Sequence, residues 1–450
     1  MSGYAAVVAP IIAFARPPRH IEPSIRRGHQ LYSALRPNGG NMHRRSFMRA
    51  VGLAAAAAAT AIPALAAAAR PRVKITDVQV KRIRVIKELG KTVSGRAYRI
   101  GGDLITLVHT DAGLTGIGPG VTPAMLSAAR QRLVGADPLD VQKLARGLFN
   151  PGGTFNSIGS GANVEIALWD LVGRMLDVPL YKLWGGTDGK LMPYASQWST
   201  GTPEERARMA QTVRAHNWRA IKFRSHFPTM KEDVALIEQT RKLMGDEFII
   251  LTDANQAGDT PDGGSAGGTR WDYKRALDTA REYARLGLYF LEEPLPRWDF
   301  DQLAELRRAS GLRIAGGEAS TGLHEYRAML EKGSLDIVQF EISVIGPTIA
   351  RQVAALAGAY DKPCVAHVGF GPGVFCAGHF NASLQNAVFF GPSHGTGPTW
   401  EVFYEPPELD IGQIWSVYEN APRIDKDGYM QLPDAPGLGV SIRPDLLQEA

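Results

Sequence analysis

Short apolar runs that alternate with helical stretches, three of them ending in an acid, constrain this chain more than any other feature. The three runs are Phe248-Ile-Ile-Leu-Thr-Asp253, Leu288-Tyr-Phe-Leu-Glu292 and Leu312-Arg-Ile-Ala-Gly-Gly-Glu318. Each is short and mostly apolar, as a strand buried on both faces must be. Further runs at Ala220 to Phe223, Asp336 to Phe340 and Cys364 to Ala366 continue the alternation. Repetition of this kind over roughly 200 residues reads as a parallel β/α barrel, whose active site lies at the C-terminal ends of its strands. Asp253, Glu292 and Glu318 fall on that face. Three converging carboxylates suit a hard divalent cation and leave coordination positions open for water and an anionic ligand.

With 450 residues, 44% hydrophobic and 21% charged, the chain can bury one barrel-sized core and a smaller one. The smaller part precedes the barrel: Val78, Val80, Ile83 and Val85, then Leu104 to Val108, are strand-like, and Ala162 to Leu176 alternates at helical spacing. The formal net charge of +5 comes from the first 70 residues, which hold nine Arg and a single acid, Glu22. The remainder is net acidic, so nucleic acid is not an expected partner. Cys364 and Cys376 are too few for a disulfide framework.

The N-terminus reads as a leader. His43-Arg44-Arg45-Ser46-Phe47-Met48-Arg49 precedes an Ala-rich stretch from Ala50 to Ala69, with small-residue cleavage options near Ala64-Leu65-Ala66 and Ala67-Ala68-Ala69. Residues 42–69 therefore look like a twin-arginine signal peptide, and 1–41 like a disordered extension from an upstream start codon. A membrane anchor is the competing reading, but Ala is weakly hydrophobic and Pro63 interrupts the run. The expected product is periplasmic, with no stable membrane insertion after cleavage.

From about Val73 to the C-terminus the chain resembles the enolase superfamily, in particular its mandelate racemase subgroup. The resemblance rests on Ala167-Leu-Trp-Asp170, Pro179-Leu-Tyr-Lys-Leu-Trp-Gly-Gly186, Asp253-Ala-Asn-Gln256, Glu292-Glu-Pro294, Gly316-Gly-Glu318 and Pro436-Gly-Leu-Gly439. It implies an α/β fold: an α+β capping domain over residues 73–190, a modified (β/α)7β TIM barrel over 191–402, and a segment 403–450 that returns to the cap. It also implies Mg2+ bound at Asp253, Glu292 and Glu318, a small-molecule carboxylate substrate, and assembly into homo-oligomers.

The shared chemistry is removal of a proton next to a carboxylate, which yields a dianionic enolate that a divalent ion must stabilise. Lys222 adds a cation for the same oxygens. Arg224 fills the second place of a motif that in many relatives is Lys-x-Lys, with the second Lys as base; a guanidinium is a poor base and a good clamp. His367 is then the candidate base, oriented by an acid on the preceding strand, aligned here with Glu341 where the family usually has Asp. Asp336 lies on the opposite strand face from Glu341 and should not replace it. Glu401 matches a last-strand acid that hydrogen-bonds the activated carboxylate, which it can do only if partly protonated. Asn255 follows as a substrate-binding position, Glu293 as a supporting or salt-bridging acid, and His379 as structural. The Gly-rich stretch from Ala257 to Arg270 and the capping loop from Lys87 to Tyr98 are candidate specificity elements, with Arg270 or Asp262 reaching inward.

One His-type base facing an Arg disfavours racemisation, which needs a proton donor on each face. Dehydration of an aldonate or aldarate to a 2-keto-3-deoxy acid is the expected reaction. Racemisation or epimerisation of a 2-hydroxy or amino acid derivative is the rival within the family. A noncatalytic periplasmic sugar-acid receptor is the rival outside it.

Overall fold

The computed structural model describes residues 72–91, 97–148, 155–198, 201–258, 269–369, 371–391, 397–405 and 409–450. The leader read at 1–69, Asp262, and most of the 257–270 loop lie outside the described residues.

The N-terminal part contains strand β1 (Ile75–Ile83), the hairpin β2 (Lys87–Lys91) and β3 (Ala97–Ile100), and strands β4 (Leu104–Thr110) and β5 (Thr115–Pro119). Helices α1 (Pro123–Leu133), α2 (Val141–Leu148), α3 (Phe155–Leu176) and the one-turn α4 (Leu180–Leu183) follow. Thr122 starts α1 by accepting a hydrogen bond from the Met125 amide, with Pro123 in the first turn, where its missing N–H costs nothing.

Strands and helices then alternate: β6 (Lys190–Ser196), α5 (Pro203–Ala215), β7 (Ala220–Arg224), α6 (Met230–Met244), β8 (Ile249–Asp253), α7 (Tyr273–Arg285), β9 (Leu291–Glu292), α8 (Phe300–Ser310) and β10 (Ile314–Gly316). They continue with α9 (Leu323–Lys332), β11 (Ile337–Phe340), α10 (Ile342–Ala359), β12 (Cys364–Ala366), α11 (Gly373–Ser383) and β13 (Thr399–Phe403). The hydrogen-bonded order is β12-β11-β10-β9-β8-β7-β6-β13, and every adjacent pair is parallel. Val388 closes the remaining gap: its amide donates to Cys364 O at 3.1 Å, and its carbonyl accepts from Thr399 N at 2.9 Å. This is the expected α/β barrel. Reciprocal caps at Thr202 with Glu205 and Thr229 with Glu232 fix where α5 and α6 begin.

Met192, Tyr194, Leu251, Phe290, Ile337 and Val365 fill the barrel interior. Polar side chains are thereby confined to the strand C-terminal ends, where Lys222, Asp253 and Glu292 are nonetheless fully buried. After β13 the chain forms β14 (Tyr418–Glu419), β15 (Met430–Gln431), β16 (Ser441–Ile442) and β17 (Leu447–Glu449). Strand β17 pairs antiparallel with β1, giving the capping sheet the order β17-β1-β4-β5.

Two buried acids of α3 tie cap to barrel and tail. Asp170 accepts from Leu438 N at 2.7 Å, Ile117 N at 2.9 Å and Arg174 Nε at 2.8 Å. Gly437 has φ 71°, and a Cβ there would sit 2.2 Å from Asp170 Oδ1, so the turn needs glycine on both counts. Glu165 accepts at one oxygen from Thr348 N at 2.7 Å and Trp169 Nε1 at 3.1 Å. It thereby caps the second half of α10, which breaks at Gly346 and Pro347.

Burial pushes the Glu165 carboxyl up to about 7, against the hydrogen bonds that favour its anion. The folded protein therefore holds a proton there that the unfolded chain has released, and stability declines as pH rises from about 4.5 to about 7. Glu165→Gln keeps the accepting oxygen and removes the ionisation. Differential scanning calorimetry should find the variant more stable than wild type at pH 8, by up to about 3 kcal/mol, with the advantage vanishing toward pH 5. An equal difference at both pH values would contradict this assignment.

Candidate active site

Register places the acids side by side at the barrel mouth. Asp253 on β8 pairs with Glu292 on β9, Glu292 pairs with Ala315 on β10, and Glu318 follows the end of β10. The chain turns sharply after two of these strands: Asn255 and Glu293 adopt left-handed φ values of 47° and 46°. Such backbone is costly outside glycine and persists where the surrounding structure dictates it.

Lys222 is the hub. Its ammonium lies 2.5 Å from Glu292 Oε2 and 2.6 Å from Glu401 Oε1, with all three side chains fully buried. Burial disfavours its charge, but the two carboxylates outweigh that and raise its pKa above the ordinary value. Glu401 also accepts from the Tyr194 hydroxyl at 3.0 Å and Gln339 Nε2 at 3.2 Å. Burial would raise its pKa, yet Lys222 and His367 bring it down to about 2. Glu401 is thereby held as a carboxylate that supports Lys222.

His367, just beyond β12, is held from both ring nitrogens. Nδ1 lies 2.7 Å from Glu341 Oε2, and Nε2 lies 2.8 Å from Glu318 Oε2. The extra methylene of Glu341 relative to Asp is accommodated. The same oxygen accepts from Gly369 N at 3.1 Å, and the other from Ser343 N at 2.7 Å. Because a carboxylate only accepts, both ring nitrogens carry protons in this arrangement; Glu341 holds the Nδ1 proton, so Nε2 is the nitrogen that can release its proton and then act as base. Burial opposes the imidazolium, but Glu318 and Glu401 override it and hold His367 well above its ordinary pKa. Asp336 takes no part; it pairs with Arg307 at 2.8 Å and Lys362 at 3.5 Å.

Arg224 pairs closely with Asp253, donates to Asn255 Oδ1 at 3.2 Å, and stacks 4.9 Å from the centre of the Trp198 ring. Asp253 also accepts from Asn255 N and Nδ2, each at 2.8 Å. The donor atoms that cluster within 4.8 Å belong to Glu292, Glu318 and His367, so Asp253 is turned toward Arg224, apart from that group. The donors still fit a hard divalent cation. Glu292 Oε1 is buried without a hydrogen-bond partner among the described residues. Burial, together with Glu401 and Glu318, raises the Glu292 pKa despite Lys222, the mark of excess negative charge.

Three other residues singled out by the sequence lie around the site. Glu293 forms no salt bridge among the described residues; burial and the adjacent Glu318 and Glu292 push its pKa well up, and it stands as a supporting acid beside them. Arg270 donates to Gly258 O at 2.7 Å and Gln256 O at 3.4 Å, fastening the base of its loop. His379 is structural as expected: Nδ1 accepts from Tyr181 N at 3.2 Å, Nε2 donates to Leu438 O at 3.0 Å, and burial lowers its pKa to about 4.

A cavity of about 310 Å³ adjoins His367, bounded by Val368 and Gly369, by Tyr98 of the capping hairpin, and by Trp198, Phe403 and Trp415. Sequence reasoning passed over Trp198 and His226. The second had a visible signal, since Lys222, Arg224 and His226 stand at alternate positions.

Comparison with known proteins agrees with this architecture. The family model described as "Enolase C-terminal domain-like" matches residues 204–446, and that of the mandelate racemase / muconate lactonizing enzyme N-terminal domain matches 104–185. The chain is 31% identical over 378 residues to 3,6-anhydro-alpha-L-galactonate cycloisomerase of Streptomyces coelicolor, covering 81% of this chain and 90% of that one. Arabinonate dehydratase of Saccharolobus solfataricus is 25% identical over 65% of this chain and 72% of its own. The crystal structure of a racemase from Streptomyces coelicolor with bound magnesium superposes with TM-score 0.65 and 25% identity, over 84% of this chain and all of that one. With both domains matched and the carboxylates gathered at the barrel mouth, the chain belongs to the enolase superfamily, in its mandelate racemase / muconate lactonizing enzyme branch.

Proposed function

We propose that the protein removes the proton α to the carboxylate of a sugar acid and expels the oxygen on the adjacent carbon. The observation that carries this reading is the Glu341–His367 pair, which holds the imidazole at Nδ1 and turns Nε2 toward the carboxylate cluster around Lys222. In the reaction, His367 Nε2 takes the proton from C2, and the electron pair of that bond forms the C2–C3 double bond as the C3–O bond breaks. The departing oxygen takes the proton back from the imidazolium, and the resulting enol tautomerises to a 2-keto-3-deoxy acid. Lys222, kept charged by Glu292 and Glu401, faces the developing charge on the carboxylate. Mg2+ held by Glu292 and Glu318, and by Asp253 once its carboxylate turns from Arg224, would supply Lewis-acid stabilisation of the enolate. His367 is not counted among its ligands, because Mg2+ prefers oxygen donors.

When the C3 oxygen is a free hydroxyl, the outcome is dehydration. When it belongs to a ring, the same bond cleavage opens the ring without loss of water. The dehydratase among the relatives supports the first outcome, and the cycloisomerase at 31% identity supports the second. Arg224, a guanidinium in the place of a second base, supports elimination over racemisation. The twin-arginine pattern of residues 42–69 supports a periplasmic site of action.

Incubation of the chain from about Ala69 onward with Mg2+ and D-gluconate, D-galactonate, L-arabinonate or 3,6-anhydro-L-galactonate should yield a 2-keto acid from at least one. Solvent deuterium uptake at C2 without keto acid would make the protein a racemase or epimerase, and binding without either would make it a receptor. Millimolar Mg2+ should also raise the thermal midpoint, since a ligand at about 100 times its Kd adds about 2.7 kcal/mol to stability. Glu292→Ala and Glu318→Ala should each abolish that rise. A rise that survives both substitutions would place the metal elsewhere.

A further inference from the structure

His226 has no part in the reaction above, yet it is placed with care. Its Nε2 lies 2.9 Å from Asn255 Oδ1. That amide is oriented from both sides, because Nδ2 donates to Asp253 Oδ2 at 2.8 Å while Oδ1 accepts from Arg224 Nη1 at 3.2 Å. A flipped amide would set donor against donor and acceptor against acceptor. Oδ1 can only accept, so Nε2 carries the ring proton and Nδ1 presents a lone pair. Among the described residues Nδ1 is buried without a hydrogen-bond partner, and so is Nη2 of the neighbouring Arg224. Burial first, then Arg224, keep the ring neutral, lowering its pKa to about 3.

The backbone on each side of His226 is clamped. Ser225 N donates to Asp253 O at 2.8 Å, and Ser225 Oγ lies 2.7 Å from the Tyr283 hydroxyl. Phe227 N donates to Asp233 Oδ1 at 3.2 Å, and Arg275 donates to Phe227 O at 3.2 Å and Pro228 O at 3.0 Å while pairing with Asp233 at 2.6 Å. Burying charges to hold a short turn is costly unless what the turn carries must stay fixed.

We propose that His226 is a specificity-determining residue, whose Nδ1 accepts a hydrogen bond from a hydroxyl of the acid substrate while Arg224 Nη2 donates to the same or the adjacent oxygen. A polyhydroxy chain supplies both partners, and an alkyl or aryl acid supplies neither. The inference rests on the sugar-acid reading above and adds to it the residue that recognises the hydroxylated part of the substrate. Leaving a buried acceptor unpaired in the complex with a deoxygenated ligand is the source of the discrimination.

The test uses the chain with Mg2+ and D-gluconate, D-galactonate and L-arabinonate as probes. In the base-deficient His367→Asn background, calorimetry should show His226→Phe weakening the preferred acid about tenfold. With His367 intact, His226→Phe should raise KM by a similar factor and leave kcat within about threefold, the signature of lost ground-state binding. If the Phe variant fails to fold, 15N histidine NMR of the His367→Asn protein decides: the unprotonated Nδ1 signal of His226 should move upfield on addition of the acid. Unchanged affinity in the folded Phe variant, a fall in kcat at constant KM, or an unmoved Nδ1 signal each overturns the inference. Turnover by wild type with unaltered binding in the variant sinks this inference alone, whereas no binding of any probe by wild type sinks the sugar-acid reading and this inference with it.

Discussion

The bridge of Lys222 between Glu292 and Glu401 is the interaction on which the rest of the site depends. Asp253, Glu292, Glu318, Glu341 and Glu401 crowd one barrel mouth, and buried carboxylates cannot remain ionised together without cations among them. Lys222 and Arg224 supply that charge from a single strand at alternate positions, so both point the same way. Lys222 serves the β9 and β13 acids, and Arg224 serves β8. Removal of Lys222 would leave two buried carboxylates facing each other, a loss larger than that of any one hydrogen bond.

The barrel also depends on acids outside the mouth. Asp170 holds the Gly437 turn, Glu165 caps the broken helix α10, and Glu341 both begins that helix and orients His367. The base is therefore oriented by the N-cap of a helix whose two halves are each capped by a carboxylate, one of them from the capping domain. This joins folding of the cap to placement of the base, and gives motifs such as Ala167-Leu-Trp-Asp170 a structural cause: they are joints between parts of the chain and lie apart from the reacting groups.

Much of this was legible in the sequence because strand ends declare themselves. A buried strand closing on Asp or Glu has no reason to do so unless the barrel mouth is polar, and the runs ending in Asp253, Glu292 and Glu318 mark the mouth directly. His367 and Glu341 were legible only through resemblance, since nothing in local spacing joins residues 26 positions apart. The charge of Glu401 was not legible, because it depends on Lys222 lying 2.6 Å away and not on the residue type. Which of the two roles Glu293 takes was not legible for the same reason: it depends on Glu292 and Glu318 lying beside it in space. His226 was missed because it stands past the end of β7, where strand alternation is no longer assumed, although the adjoining turn is clamped as firmly as a strand.

The central claim is that His367 Nε2, on a ring held at Nδ1 by Glu341, takes the α-proton. The most direct measurement is proton NMR of C2–H exchange into deuterium oxide on a bound sugar acid, comparing wild type with His367→Asn at saturating Mg2+. The account predicts exchange, or keto-acid product deuterated at C3, with wild type and none with the variant, while the variant still binds the acid. Exchange at the wild-type rate in His367→Asn would show that another group removes the proton and would contradict the account.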